Sequence, residues 1–261
     1  MASYDAVHLY RDPGTPGRLD FDRELYRRIA SETDRGPMTA PEPYFPFSYL
    51  EANAAARPGA PAVWQYGREL SSDLATRLET LEIERPLVPG LSAGGTIAMA
   101  AALDGPELVG GLVLAATSSR VGRAAARWCR ERAELAERND PGLSARLERD
   151  TEDVYRESPE TAAGWRLRRD STRDPRGYGN GCRAMAGLNE GPVDPELPRI
   201  RARTPIVPSD LDQRCPPRAA EIIAAGIEGS HLVVLPGGGH PIPVELPQEL
   251  ARLIQNENPD G

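Results

Sequence analysis

The chain has 261 residues and a formal net charge of -8, with 39 acidic residues against 31 basic ones, every one of which is arginine. That balance argues against a nucleic-acid partner, which calls for clustered positive charge to neutralise phosphates. No apolar run approaches the roughly 18 to 20 residues of a membrane span, so no membrane partner is expected. Aromatic residues make up only 5%, while 26 Pro and 25 Gly imply many turns and few long strands.

The length suits one large domain carrying an insertion, or two small domains. The opening residues lack the basic-then-apolar pattern of a secretory leader, so a cytoplasmic location is expected. Cys129, Cys182 and Cys215 are far apart and form no C-x-x-C pair. That spacing suggests neither a disulfide framework nor a zinc site, and the thiols read as reduced and structural.

In chain order, residues 6–10 (AVHLY) read as a short strand, and RDPGTPG after it is a turn cluster. Phe21, Leu25, Tyr26 and Ile29 then recur at helical spacing. His8 reads as a packed or edge histidine, since catalysis needs placed partners. Tyr44, Phe45, Phe47 and Tyr49 are assigned by default to a core. Leu70, Leu74, Leu78 and Leu81 predict an amphipathic helix over 68–81.

Residues 85–102 (RPLVPGLSAGGTIAMAAA) combine a short apolar run, a serine between glycines and a long small-residue helix pattern. That is the strand, sharp turn and helix required to expose Ser92 as a nucleophile, with Gly94 and Gly95 expected to let the elements approach. Neither G-x-G-x-x-G nor G-x-x-x-x-G-K-[ST] is present, so a phosphate cradle is the weaker reading. Residues 108–117 (LVGGLVLAAT) form a buried strand, and strand, helix, strand at this spacing predicts a parallel sheet.

From 118 to 203 the composition shifts to Arg, Glu and Ala in helical patterns with no strand-like run. The charge runs read as solvated helix faces, with Trp128, Leu135, Trp165, Leu167 and Met185 as an apolar underside. The sheet pattern resumes at 204–207 and is followed by a helix through Ala219, Ile222, Ile223 and Ile227. A strand at 231–235, a Gly-rich loop ending in His240 and a last helix from 246 to 253 complete an α/β class.

A serine hydroxyl needs a base, and the base needs an orienting carboxylate. In an open parallel sheet all three emerge from the carboxyl ends of strands. Ser92, Asp212 and His240 meet that condition, and they occur in that chain order. Asp210 is the fallback acid. His231 begins a strand and reads as a solvent-facing residue; Glu245 reads as a tether of the last helix.

The segments PGLSAGGTIAMAAALDGPELVGGLVLAAT, RTPIVPSDLDQRCPPRAAEIIAAGIEGSHLVVLP and GGGHPIPVELPQEL together resemble the α/β-hydrolase superfamily, in its small capped branch of esterases, lactonases and proline iminopeptidase-like enzymes. The resemblance implies an α/β-hydrolase fold: a mostly parallel sheet flanked by helices, with core residues 1–118 and 204–261 and a helical cap insertion at 119–203. It implies Ser92 as nucleophile, His240 as base and then acid, and Asp212 as the orienting carboxylate. For the oxyanion hole it implies the Ala93 N–H, with a second donor from Thr15 when Gly14, Thr15, Pro16 and Gly17 are laid on the family's H-G-x-P-G loop. Pro13 then stands where the family has histidine, and Pro89 and Pro208 fall inside expected strands.

The expected activity is cleavage of a carboxylic ester, lactone, thioester or amide in a small molecule with an acyl group, with no metal or other cofactor required. Two alternatives stay open: a non-hydrolytic member of the fold acting as a cyclase or ligand-binding protein, and an interaction module using the Arg-rich insertion. The substrate's identity and the oligomeric state are not readable from the sequence.

Overall fold

The computed structural model describes residues 85–155 and 175–257, together with the backbone of 10–11 and 20–21. Strands β1 (Tyr10–Arg11) and β2 (Asp20–Phe21) pair antiparallel, which puts Arg11, expected in the turn cluster, and Phe21, expected to open a helix, in strands instead. The expectations for His8, Thr15, the aromatics at 44–49, the helix over 68–81, Trp165 and Leu167 lie outside the described residues.

Four parallel strands follow in the order β3 (Leu87–Leu91), β4 (Gly111–Ala115), β5 (Pro205–Val207) and β6 (His231–Leu232). Helix α1 (Ala93–Asp104) connects β3 to β4. Among the described residues, three helices and a 3-10 turn (Asp194–Arg199) lie between β4 and β5: α2 (Arg123–Glu137), α3 (Gly142–Tyr155) and α4 (Pro175–Gly187). Helix α5 (Pro217–Gly226) connects β5 to β6, and α6 (Ile242–Glu245) and α7 (Pro247–Glu257) close the described chain.

The sheet is covered on both faces, as the period-two alternation of strand side chains demands. Leu112, Leu114 and Ile206 point into one core with Met99, Ala102, Leu197 and Ile223. Val113, Ala115 and Val207 point into the other with Leu235, Ile242 and Leu253. Helix α1 is built of Ala, Gly and Thr on nearly all sides because it is enclosed rather than surface-lying; Thr96, Met99, Ala100 and Ala102 are all buried. Helices α2 and α4 pack where Gly179 meets Ala136, a Cβ on the glycine standing 3.2 Å from the alanine methyl. Trp128, Leu135 and Met185 pack against the first core, as the insertion's apolar underside requires.

The strands are shorter than the apolar runs that predicted them, and the prolines explain part of it. Pro89 sits in β3 with its side chain exposed. Pro208 ends β5, yet its carbonyl accepts the Leu235 N–H at 2.9 Å and Ser209 resumes bridge pairing with Leu235. A proline removes only a donor, so the ladder continues on its acceptor side. Beyond β6 the Val233 N–H still donates to Ile206, at 2.9 Å, so the expected strand to Leu235 persists as broken pairing.

One expectation about the insertion needs correcting. Arg132 is not on a solvated helix face: its guanidinium forms a bidentate pair with Asp150 of α3, at 2.9 and 2.8 Å, with both side chains over nine-tenths buried. Arg132 also lies over the Trp128 ring, 4.7 Å from its centroid. Among the described residues no helix is long and apolar enough to cross a membrane.

Candidate active site

Ser92 stands between β3 and α1 with φ 52 and ψ -123, a conformation unusual for a residue with a side chain. Three contacts hold it there. Its N–H donates to the Ala115 carbonyl at 3.0 Å, and its own carbonyl accepts from the Gly95 N–H at 3.0 Å and the Thr117 hydroxyl at 2.6 Å. A Cβ on Gly90 would fall 2.6 Å from the Gly94 carbonyl oxygen, and one on Gly95 would fall 2.4 Å from Thr117 Oγ1. Gly94, expected to share that role, has nothing within 4 Å of an added Cβ. The close approach belongs to Gly90 and Gly95.

The loops after β5 and β6 are bound residue by residue. Ser209 Oγ donates to the Gly239 carbonyl, and the Gly237 N–H donates to Asp210 Oδ1 at 2.7 Å. The Leu211 N–H donates to the Gly238 carbonyl at 3.1 Å. Asp212 Oδ2 then meets His240 Nδ1 at 2.9 Å. This approach requires the glycine run: Gly237 has φ +78, and a Cβ on Gly238 would stand 2.5 Å from Leu246 Cδ1. Glu245 is more than a tether of the last helix, since its carboxylate accepts the Gly239 N–H and braces the loop that carries His240.

The outcome is a continuous line of three side chains, with His240 Nε2 at 2.9 Å from Ser92 Oγ. Asp212 is buried, its side chain fully excluded from solvent, and its Oδ1 accepts the backbone N–H groups of Arg214 at 2.8 Å and Cys215 at 2.9 Å. An ionised carboxylate only accepts hydrogen bonds, so the imidazole proton is held on Nδ1 and Nε2 is left to accept the serine hydroxyl. That tautomer is the one a general base needs. Ala93 is the first residue of α1, where a backbone N–H has no intrahelical acceptor. Asp210 binds the Gly237 amide instead of the histidine, and His231 lies on β6 facing Glu257 at 3.5 Å, outside the line of three.

Three neighbours of this line were beyond sequence reasoning. Thr117 reaches Ser92 from the end of β4. Arg214 donates from Nη2 to the Asp150 carbonyl at 3.0 Å and stacks on Trp128 at 5.6 Å, joining the Asp212 turn to helices α2 and α3. Cys215, which read as a remote structural thiol, stands beside Asp212 and His240. Burial, and after it the Asp212 carboxylate, push its pKa up to about 12, against a weaker downward pull from a hydrogen bond with Ser118. Only the D-x-x-C spacing within one turn hinted at that proximity.

A sequence profile of the alpha/beta hydrolase family matches residues 6–253. The chain belongs to this family. Its fold is that of other α/β hydrolases. A hydrolase from Pseudomonas aeruginosa PA01 is 24% identical, with a TM-score of 0.65 over 77% of this chain and 73% of the other. The enol-lactonase from Burkholderia xenovorans LB400 is 21% identical, with a TM-score of 0.66 over 78% and 76%. MenH from S. aureus is 19% identical, with a TM-score of 0.64 over 74% and 75%. No curated protein matches the sequence. The parallel sheet and its flanking helices are thus those of an α/β hydrolase, and Ser92, Asp212 and His240 follow three of its strands.

Proposed function

We propose that this α/β-hydrolase family member is a serine hydrolase that cleaves a carboxylic ester, lactone, thioester or amide of a small molecule through an acyl-enzyme. The observation that carries the reading is the unbroken chain from Asp212 Oδ2 through His240 to Ser92 Oγ, with 2.9 Å at each link. Ser92 attacks the acyl carbon while His240 Nε2 takes the hydroxyl proton. Asp212, held by two backbone amides, stabilises the imidazolium. His240 then returns the proton to the leaving group, and the same groups activate water to release the acid.

The developing oxyanion is assigned to the Ala93 N–H, with Thr15 as the proposed second donor. Helices α2, α3 and α4, inserted between β4 and β5, are proposed as the cap that shapes the acyl pocket, within a cap spanning 119–203. The reaction needs only side chains and water. Free Cys129, Cys182 and Cys215 are consistent with a proposed cytoplasmic setting, where thiols stay reduced.

The test is hydrolysis of a short-chain p-nitrophenyl ester together with labelling by a fluorophosphonate probe. The wild-type chain should turn over the ester and label at Ser92; Ser92→Ala should do neither while keeping its melting temperature. Equal turnover by the two proteins overturns the reading. Absence of labelling in a folded wild-type protein would favour a non-hydrolytic role for the same fold.

A further inference from the structure

We propose that Asp212, Cys215 and His240 also form a binding site for a thiophilic divalent cation of the zinc class, and that its occupation switches the enzyme off. The inhibitory half rests on the reading of Ser92 as nucleophile and His240 as base. A carboxylate oxygen, a sulfur and an imidazole nitrogen from these residues all lie within 4.8 Å of one another. These are the three ligand types that zinc takes, and the presence of sulfur selects against magnesium and calcium.

The cluster is built by the fold. Asp212 Oδ1 accepts the Arg214 and Cys215 amides, which curls residues 212–215 into a tight turn and returns the Cys215 side chain to the carboxylate. The lacing between 209–212 and 237–240 brings His240 to the same point. The Arg214 guanidinium itself is directed to the Asp150 carbonyl and the Trp128 ring. The His240 side chain keeps 13% exposure.

Bond lengths of about 2.0 to 2.3 Å in a tetrahedral site place ligand atoms about 3.3 to 3.8 Å apart. The Asp212–His240 pair, now at 2.9 Å, has to open slightly, and the sulfur has to close in by roughly 1 Å. Binding displaces the thiol proton to water, and the imidazole proton moves from Nδ1 to Nε2 as the metal takes Nδ1. The bound cation is matched by one carboxylate and one thiolate. In that tautomer Nε2 donates to Ser92 Oγ and cannot take its proton, so nucleophile activation stops.

The experiment uses the full chain stripped with a chelator and titrated with Co2+, whose near-ultraviolet thiolate charge-transfer band reports sulfur ligation directly. The expected result is a band that saturates at one equivalent, is displaced by Zn2+ and is missing in both Cys215→Ser and Cys215→Ala. In parallel, Zn2+ should inhibit ester turnover by the wild type reversibly with EDTA, with an inhibition constant at least about tenfold weaker in the two variants, as expected for loss of a ligand. A band that survives in the Cys215 variants, no band in the wild type, or equal zinc sensitivity of all three proteins overturns the proposal. The optical arm does not depend on turnover: a Cys215-dependent band without ester hydrolysis would count against the hydrolase reading and the inhibitory half, and hydrolysis without a band against the metal site alone.

Discussion

The Thr117 hydroxyl donates to the Ser92 carbonyl at 2.6 Å, fastening the end of β4 to the residue at the top of β3. Ser92 holds a positive φ, and strained backbone persists only where its surroundings over-determine it. Thr117 is one such constraint, and Gly95 and Ala115 supply the others. Thr117→Val keeps the shape and removes the donor. Stability should fall by about 1 kcal/mol, the worth of one hydrogen bond whose acceptor retains a second partner. Turnover of an ester should fall further than binding, because the serine loses orientation; denaturant melts and steady-state kinetics on the same preparation check both.

Two adjacent glycines should behave oppositely. Gly95→Ala drives a methyl to within 2.4 Å of Thr117 Oγ1, and overpacking of this kind costs roughly 1 to 3 kcal/mol. Gly94→Ala meets open space in the first turn of α1, where Ala is the better helix former by roughly 0.5 to 1 kcal/mol. A melting temperature that drops for the first and holds or rises for the second checks the packing around the elbow. Comparable losses in both would contradict it.

This pair also shows what the sequence could and could not reveal. The line of Ser92, His240 and Asp212 was legible because each residue falls in a loop that follows a strand and their order is a property of the chain. The α/β class was legible for the same reason, as strand and helix patterns alternate locally. Gly94 was misjudged beside Gly95 because which glycine faces Thr117 depends on the rotation of α1, which a pattern does not carry. Cys215, Thr117 and the Trp128–Arg214–Asp150 group were invisible because their partners lie on other elements. The run at 108–117 overshot β4 because it measures burial, and the ladder needs a neighbouring strand as well: Val109 is buried, although pairing begins at Gly111.

Asp212 and Asp210 are two residues apart, and only the first reaches the histidine. Asp212→Asn would donate to or disturb Nδ1 and favour the wrong imidazole tautomer, a change that lowers kcat by about 10^4 in a serine triad. Asp210→Asn keeps an oxygen for the Gly237 amide and should cost less than about tenfold, because it acts through loop geometry alone. The ratio of the two kcat values tests Asp212 as the acid of the proposed triad. Equal losses would mean that the loop register is wrong.

Arg132 and Asp150 make a buried bidentate pair between α2 and α3, and the Arg132 hydrogen bond to Asp150 holds its pKa above the usual arginine value. Removing one partner strands the other. Asp150→Ala should therefore destabilise by about 3 to 5 kcal/mol, while the double variant Arg132→Met, Asp150→Leu should recover much of that loss. A double-mutant cycle on denaturation free energy separates the pair's coupling from the burial of each side chain.

Cys129 gives the fold a pH dependence on the alkaline side. Burial in α2 raises its thiol from the ordinary 9.0 to about 11, outweighing the opposing pull of Arg132, Arg214 and Arg130. A raised folded-state pKa means that the native state holds the proton more tightly than the unfolded chain. The associated stability is fully present below pH 9.0 and is lost as pH rises through about 11. Two units correspond to at most about 3 kcal/mol. Cys129→Ala removes the titrating group at the cost of a small cavity whose effect does not vary with pH. The stability gap between wild type and variant should therefore shrink between pH 9 and 11, with the wild-type curve falling more steeply, as measured by urea denaturation at fixed ionic strength. Parallel curves through that window would show that the thiol does not titrate with unfolding.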